Sequence, residues 1–213
     1  VILIIDVTET AHRELMRREF TANVSHELKT PLTSISGFAE LLKNGGTPDA
    51  TVVDFATSIY DEAQRLIALV SDIIKISELD EGDTAFVSEE VELGAMCREI
   101  ISRLSDAAAK KRVTLSLDGS AYVHGVRQIL DEMVYNLVDN AIKYNREGGS
   151  VNIVIDADDA HTTLTARDTG IGIAPAMHER VFERFFRVDK SRSKAEGGTG
   201  LGLSIVKHGA LYH

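Results

Sequence analysis

The chain has little of what marks secreted, membrane-spanning or nucleic-acid-binding proteins. Its 213 residues contain a single cysteine, so no internal disulfide can form and a reducing compartment is the simplest context. No apolar run approaches the ~20 residues that cross a bilayer. The formal net charge of -10 argues against nucleic acid as the main partner. With 44% hydrophobic and 26% charged residues, the composition is that of an ordinary globular protein.

One segment departs from the acidic balance. Between positions 180 and 194 the basic residues far outnumber the acidic ones, Glu183 and Asp189. Such an island suits a small polyanion, although a solvated loop fits the pattern equally well. The basic residues are Arg180, Arg184, Arg187, Lys190, Arg192 and Lys194.

The first part of the chain predicts two long helices joined by a short turn. From Thr8 to Lys43, apolar residues recur at the three-four spacing of a packed helix, and NGGTPD at 44–49 ends the segment. A second periodic segment follows and stops near 81–83. Two such helices form an antiparallel hairpin. A hairpin alone cannot bury two full-length apolar stripes, so we expect a homodimeric four-helix bundle. The alternative is that the stripes pack on the second half of the same chain.

After residue 83 the pattern alternates between helices and strands. We predict helices from Val91 to about Lys111, from Arg127 to Tyr144 and from Leu201 to Leu211. The predicted strands are 113–117, 151–155 and 162–166. This order suggests an α+β sandwich with helices on one face of a sheet. Cys97 lies on the first of these helices, where we interpret it as a small buried hydrophobe.

The run FTANVSHELKTPL at 20–32 places His26 beside the carboxylate of Glu27, with Thr30 one helical turn on. An imidazole becomes a capable nucleophile once a neighbouring base takes its ring proton. Pro31 cannot donate to the carbonyl of Glu27, so we expect the helix to bend or loosen there. Taken alone, the motif is more typical of an exposed histidine on an amphipathic helix.

In the predicted helix 127–144, polar side chains oppose an apolar face. Asn136, Asn140 and Lys143 follow at i, i+4 and i+7. Carboxamide oxygens suit a hard cation such as Mg²⁺, and a lysine can reach a phosphate. On its own, such a stripe is more often a solvated helix face.

Two glycine-rich segments follow. DTGIGI at 168–173 comes directly after a strand, where Asp168 can accept a hydrogen bond from an exocyclic amine. GGTGLGL at 197–203 runs into the last helix, where unobstructed N–H groups form an anion site. FERFFR at 182–187 lies between them, and we expect it to anchor a lid. Each segment is a weak signal alone, but their order is specific.

Together these segments resemble the sensor histidine kinases of two-component signalling. Residues 20–32 match the phosphoacceptor box, and the later segments match the N, G1, F and G2 boxes of the Bergerat-fold ATP domain. For the first box, the resemblance implies that His26 is autophosphorylated and that Glu27 accepts its proton. Thr30 would position water when the same helix dephosphorylates a partner.

For the ATP domain, the resemblance implies ATP and Mg²⁺ as cofactors. Asn140, with Asn136 as a second candidate, would hold the metal, and both would hold phosphates. Lys143 and Arg187 would contact phosphates. The resemblance also implies nucleotide contacts at Tyr144, at Asp168 for the adenine amine, and at Gly170, Gly172, Gly198, Gly200, Leu201 and Gly202.

The resemblance implies a multidomain protein of α and α+β class. Residues 1–7 (VILIIDV) lack the basic segment of a signal peptide and predict a buried strand, which in this family often ends a PAS-like sensor. Residues 8–82 would be the dimerisation and phosphotransfer hairpin, and 83–213 the ATP-binding domain. Relatives usually continue with further sheet strands, so we expect a C-terminally truncated domain with an exposed sheet edge.

The implied activity is ATP-dependent autophosphorylation of His26 and relay to an aspartate of a response regulator receiver domain, with phosphatase activity toward that regulator as well. The implied setting is the cytoplasmic portion of a membrane-anchored bacterial kinase, with membrane contact only through preceding segments. One rival is an ATPase of the gyrase or chaperone type, in which Glu132 would activate water. The other is a non-catalytic scaffold that dimerises and binds a regulator.

Overall fold

The computed structural model describes residues 8–45, 48–81, 86–188 and 198–213. The predicted sensor strand, the linker at 82–83 and the basic residues Lys190, Arg192 and Lys194 lie outside these ranges. The chain folds into two compact units, with the division between Ile73 and Ile74. None of the described helices is both long enough and apolar enough to cross a membrane.

Two long helices dominate the first unit. Helix α1 spans Thr8–Asn44 and helix α2 spans Asp49–Glu81, so the predicted hairpin has the expected bounds to within a few residues. Near the turn, the rings of Phe38 and Phe55 pack with their centroids 5.3 Å apart.

Helix α1 continues through Pro31 rather than ending there. Proline leaves the carbonyl four residues earlier without its amide partner. Neighbouring hydroxyls bond to the helix backbone around this point: Thr30 to the His26 carbonyl at 3.2 Å, and Thr33 to the Lys29 carbonyl at 2.9 Å. Such bonds from Ser and Thr to the preceding turn often accompany a bent helix. The Thr30 hydroxyl is therefore bonded to the backbone of the predicted phosphoacceptor residue.

The second unit is a mixed α/β structure. Its elements are β1 (Glu89–Glu92), α3 (Leu93–Lys110), β2 (Thr114–Asp118), β3 (Tyr122–Gly125), α4 (Arg127–Lys143), β4 (Ser150–Ala157), β5 (Thr162–Asp168) and α5 (Gly202–Tyr212). Two short 3-10 helices, Pro175–Met177 and Arg180–Phe182, lie between β5 and α5.

The strands form two sheets. β1 pairs antiparallel with β3, and β2-β4-β5 form a mixed sheet in which β2 and β4 are parallel and β4 and β5 antiparallel. The sequence did not predict β1 or β3. The helix expected from Val91 begins instead at Leu93, because Val91 pairs with Val123 in the β1–β3 ladder.

One face of the mixed sheet forms the core with α3 and α4. Val151, Ile153 and Ile155 alternate as buried residues along β4, as expected for a strand with one covered face. They cluster with buried residues of α3 and α4, including Cys97, which is fully buried as predicted. The core therefore fixes α4, which carries the predicted asparagine stripe, against the sheet whose strand β5 ends at Asp168.

Candidate functional site

The predicted phosphoacceptor His26 lies on the solvent-exposed part of α1, with Glu27 half-buried beside it. Thr30 is exposed one turn away, and its hydroxyl donates to the backbone carbonyl of His26. A phosphoryl donor can therefore reach the imidazole from solvent. Glu27 directly follows His26 on the helix, and Thr30 lies one turn beyond His26.

The predicted asparagine stripe lies on α4, half-buried throughout. Nδ2 of Asn136 donates to the carbonyl of Glu132 at 2.8 Å, so the remaining side-chain atom, Oδ1, is an acceptor. The ammonium of Lys143 pairs with Asp139 at 2.7 Å, one turn away. The stripe thus presents amide oxygen and ammonium groups on the same side of the helix.

The start of α5 packs closely on this stripe. A Cβ at Gly202 would lie 2.6 Å from Oδ1 of Asn136 and 3.6 Å from Nδ2 of Asn140. A larger residue at 202 would require the Asn136 side chain to shift, because real Cβ atoms essentially never come within 3.0 Å of another heavy atom. The glycine-rich segment and the asparagine helix, which are distant in sequence, therefore meet in the structure.

The predicted lid segment also contacts the glycine-rich segment. The amide of Phe185 donates to the carbonyl of Gly200 at 2.9 Å, and a Cβ at Gly200 would lie 3.2 Å from Nε of Arg187. Gly200 has a φ of +77°, in the left-handed region that favours glycine. Gly198 and Leu201 flank it, and Leu201 is fully buried. Arg187 is thereby held beside the start of α5.

At the other side of α4, the predicted adenine-binding segment closes on the end of the helix. Oδ1 of Asp168 accepts from the amide of Gly170 at 2.8 Å, and the amide of Ile171 donates to the carbonyl of Tyr144 at 3.1 Å. A Cβ at Gly170 would lie 2.5 Å from the same carbonyl. Gly172 is exposed with a φ of +69°. The structure therefore brings Asp168 and Tyr144 together.

Glu132, the residue on which the ATPase alternative depends, forms an ion pair. Its Oε1 lies 2.8 Å from Nζ of Lys75, a residue near the end of α2.

Burial raises the pKa of the neighbouring Tyr135, and the negative charge of Asp139 adds to the rise. The Tyr135 phenol therefore stays protonated at neutral pH.

A second link joins the end of α2 to this region, and no pattern in the sequence indicated it. Nη2 of Arg184 donates to both carboxylate oxygens of Asp80, at 2.8 and 2.7 Å, and lies 2.7 Å from Nε2 of His208. Nδ1 of His208 lies 2.7 Å from the carbonyl of Ser204, so this nitrogen donates and Nε2 accepts from Arg184. Residues 104 apart in sequence cannot be paired by inspection of a single chain.

Within the described ranges, no three His, Cys, Asp or Glu side chains cluster as metal ligands would. The close approaches at the glycines and the amide and ammonium groups of α4 form a polar site that suits an anionic ligand.

Two family models match the chain. Residues 16–82 match the His Kinase A (phospho-acceptor) domain, and residues 125–213 match the histidine kinase-, DNA gyrase B-, and HSP90-like ATPase. The matched ranges contain every residue predicted above for the acceptor box and for the nucleotide site.

Individual proteins agree with these matches. The sensor-like histidine kinase SenX3 of Mycolicibacterium smegmatis is 42% identical over all of this chain and 56% of its own length. The Acinetobacter baumannii histidine kinase AdeS has the same fold, with a TM-score of 0.72 at 24% identity over 88% of this chain and 86% of its own. Full-length ShkA in complex with AMPPNP has a TM-score of 0.65 at 26% identity over 91% of this chain and 41% of its own. The chain spans about half the length of the curated relatives it matches.

Proposed function

The chain belongs to the sensor histidine kinases, and from this membership we propose that it is an ATP-dependent protein-histidine autokinase. It phosphorylates His26, passes the phosphoryl group to an aspartate of a response regulator receiver domain, and also dephosphorylates that regulator. The observation that carries the proposal is the presence of an exposed histidine–carboxylate pair on α1 together with a second unit in which glycine-rich loops meet the asparagine stripe of α4.

ATP supplies the phosphoryl group. A ring nitrogen of His26 forms a bond to the γ-phosphorus as the bond from that phosphorus to the bridging oxygen breaks, and ADP leaves. Glu27 takes the proton that the imidazole releases. In the relay, a regulator carboxylate oxygen bonds to phosphorus as the nitrogen–phosphorus bond breaks. In the phosphatase reaction, Thr30 positions the attacking water, which requires its hydroxyl to turn from the His26 carbonyl.

The nucleotide site would use the residues of α4 and the glycine-rich segments. Asn140 and Asn136 would hold Mg²⁺ and phosphate oxygens, since amide oxygen is a suitable ligand for this cation. Lys143 and Arg187 would contact phosphates, for which Lys143 must exchange its bond to Asp139. Backbone amides at 198–202 would add donors at the start of α5. Phosphoryl transfer needs mainly positioning and charge neutralisation, and these groups can supply both.

Tyr144 would line the adenine side, and Asp168 would accept the adenine amine. Oδ1 of Asp168 already accepts from Gly170, which leaves Oδ2 as the oxygen suited to the amine. Gly170 and Gly172 would let the base pass close to the backbone. Autophosphorylation would require the ATP-binding domain to present the γ-phosphate to His26.

The first unit would act as a homodimer. Large apolar side chains stay exposed along α1 and α2 in the single chain, among them Leu15, Leu32, Leu41, Val53, Tyr60 and Ile67. Exposed apolar area on this scale marks an interaction surface. A second hairpin that packs into a four-helix bundle would cover it. We place the chain in the cytoplasmic portion of a membrane-anchored bacterial sensor.

The gyrase-type ATPase receives less support from the geometry. A water-activating Glu132 would first have to give up its ion pair with Lys75. The phosphoacceptor match at 16–82 also favours the kinase. Scaffold function alone would leave the converging nucleotide residues without a role.

The test is phosphorylation with γ-labelled ATP and Mg²⁺. We expect acid-labile, alkali-stable label on the wild-type protein, and its loss in His26→Ala and Asn140→Ala. Matched controls are His161→Ala, which removes another exposed histidine, and Asn152→Ala, which removes an asparagine from β4. Both controls should label normally.

Label that survives His26→Ala would exclude His26 as the acceptor. Steady ATP turnover in that variant would favour the ATPase. Bound nucleotide without any label in the wild type would favour the scaffold.

A further inference from the structure

A buried amide lies directly beneath the predicted adenine-binding segment. Asn145 follows the end of α4 and is only 6% exposed. Its Oδ1 accepts from the amide of Arg146 at 2.9 Å and from the hydroxyl of Thr169 at 3.2 Å, and its Nδ2 donates to the carbonyl of Ser150 at 3.0 Å. A buried amide with these partners is costly to disturb, because any group left unpaired keeps its desolvation penalty.

Thr169 completes a ring of hydrogen bonds with the same residues. Its hydroxyl donates to Asn145 and accepts from the amide of Ser150 at 2.9 Å, and its own amide donates to the carbonyl of Ser150 at 3.1 Å. The ring therefore joins three elements: the end of α4, the first residue of β4, and the residue after β5.

The backbone at this point is built closely around the ring. A Cβ at Gly149 would lie 2.1 Å from Oδ1 of Asn145 and 2.7 Å from Oγ1 of Thr169. A larger residue at 149 would displace one of these two side chains, so the ring of hydrogen bonds requires glycine at this position. A buried network of polar groups whose hydrogen bonds are all made favours a single arrangement of its side chains.

Asp168 stands immediately before Thr169, and Tyr144 immediately before Asn145. The hydrogen bond from Thr169 to Asn145 thus joins the residues that directly follow Asp168 and Tyr144, the two residues expected to contact adenine. The other link at this place runs from the amide of Ile171 to the carbonyl of Tyr144. Without the ring, the position of the Asp168 carboxylate would depend on that bond, on the bond it accepts from the amide of Gly170, and on the ladder of β5.

We propose that Asn145 and Thr169 are positioning residues that fix the carboxylate of Asp168 against the adenine amine and so set the selectivity for adenine nucleotides. This inference rests on the proposed function, since it concerns the same nucleotide site. Neither side chain needs to touch the nucleotide. Their effect passes through the backbone of Asp168 and the end of α4.

The test uses Thr169→Val, which keeps the shape of the side chain and removes its hydroxyl, and Thr169→Ser, which keeps the hydroxyl. Affinities for ADP and for purine riboside diphosphate, which lacks the exocyclic amine, are measured by calorimetry with Mg²⁺. We expect Thr169→Val to weaken ADP binding about tenfold, the loss of roughly one hydrogen bond. The analogue should lose much less, so the preference for ADP falls, and Thr169→Ser should restore it.

The matched control is Ser116→Ala. Its hydroxyl also donates to an asparagine side chain, that of Asn152 at 3.2 Å, but between β2 and β4 on an exposed part of the sheet. This variant should bind both nucleotides as the wild type does. Thermal unfolding of every variant separates a general loss of stability from a loss of selectivity.

In autophosphorylation, Thr169→Val should raise KM for ATP and leave kcat at saturation nearly unchanged. Equal weakening of ADP and the analogue, or unchanged binding of both, would overturn the inference while leaving the kinase proposal intact. A wild-type protein that bound no adenine nucleotide would overturn the proposed function and this inference with it.

Discussion

The two units of the chain differ in where they leave their apolar side chains. On α1 and α2, Leu41, Val53 and Ile67 are 51%, 65% and 61% exposed, whereas Met96 and Ile153 of the second unit are 0% and 1% exposed. The second unit has an internal core of buried residues. The long helices leave large apolar side chains exposed, so under the proposed dimer we expect a second hairpin to contribute to their stability.

Polar side chains show the same difference. In α1, hydroxyls such as those of Thr30 and Thr33 bond to their own helix, one turn back. In the second unit, Asn145 and Thr169 bond across three elements. Hydrogen bonds within one helix do not tie its surface to other elements, whereas hydrogen bonds between elements fix the positions of those elements relative to one another.

Truncation of the core should give the largest effect. Ile153→Ala removes a buried side chain of β4, and we expect the free energy of unfolding to fall by about 2–5 kcal/mol. The matched variant Ile67→Ala, on the exposed surface of α2, should change it by less than about 0.5 kcal/mol in a monomeric sample. Denaturant titration followed by circular dichroism measures both. Equal losses would contradict the contrast between the two units.

The two units should differ in the reactivity of a cysteine thiol, which is buried in the second unit and would be exposed on α1. Burial raises the pKa of Cys97 from 9.0 to about 11; the charge of Arg98 acts in the opposite sense, and that of Asp131 adds to the rise. At neutral pH its thiolate population is then about a hundredfold lower than that of a free thiol, and alkylation is slowed at least as much. A second thiol introduced by Leu41→Cys on α1 should react rapidly with iodoacetamide. Comparable rates at the two positions would show that Cys97 is accessible.

The same thiol affects stability at high pH. Below pH 9 the folded and unfolded states both keep the proton, so Cys97 contributes nothing. Between about pH 9 and 11 the unfolded state ionises first, so the free energy of unfolding should fall as pH rises through this window. Cys97→Ala should abolish this part of the pH dependence, as measured by denaturant titration at pH 8, 10 and 11.

A charge placed on the exposed apolar surface of α2 should weaken dimerisation, an effect that depends on protein concentration and is smaller than that of truncating the core. If a second hairpin covers α2, Val53→Glu buries a carboxylate at the interface, and we expect dimer dissociation to become at least about tenfold easier. Val87→Glu, which alters a 79% exposed valine of the second unit, is the matched control. Sedimentation equilibrium over a range of concentrations compares them. Equal behaviour of the two variants would count against a dimer through the hairpin.

Periodicity predicted the long elements well, because their apolar spacing is set by burial along many turns. Helix α4 was expected at 127–144 and spans Arg127–Lys143. Periodicity failed for β1, whose sequence EEVE offers one apolar residue and whose existence depends on pairing with the distant strand β3. Short strands made by distant pairing carry little local signal.

The sequence also indicated which site residues should converge, through motifs that the resemblance explained. It did not indicate Asn145, because an asparagine after a helix is usually interpreted as a polar turn residue. Nor did it indicate the pairing of Asp80 with Arg184. The available signals were the position of Asn145 between Tyr144 and a glycine pair, and of Thr169 between Asp168 and Gly170. Neither signal distinguishes a buried polar side chain from an exposed one.

The division between the units falls inside α2, between Ile73 and Ile74, although the helix itself is continuous from Asp49 to Glu81. The last turns of α2 hold Ile76, which is fully buried, and Asp80, which is bonded to Arg184. Backbone amides in these turns should therefore open with the second unit, and those before Ile73 with the first. A single helix would then show two levels of amide hydrogen exchange, and the step between them would mark the boundary between two independently opening parts of the chain.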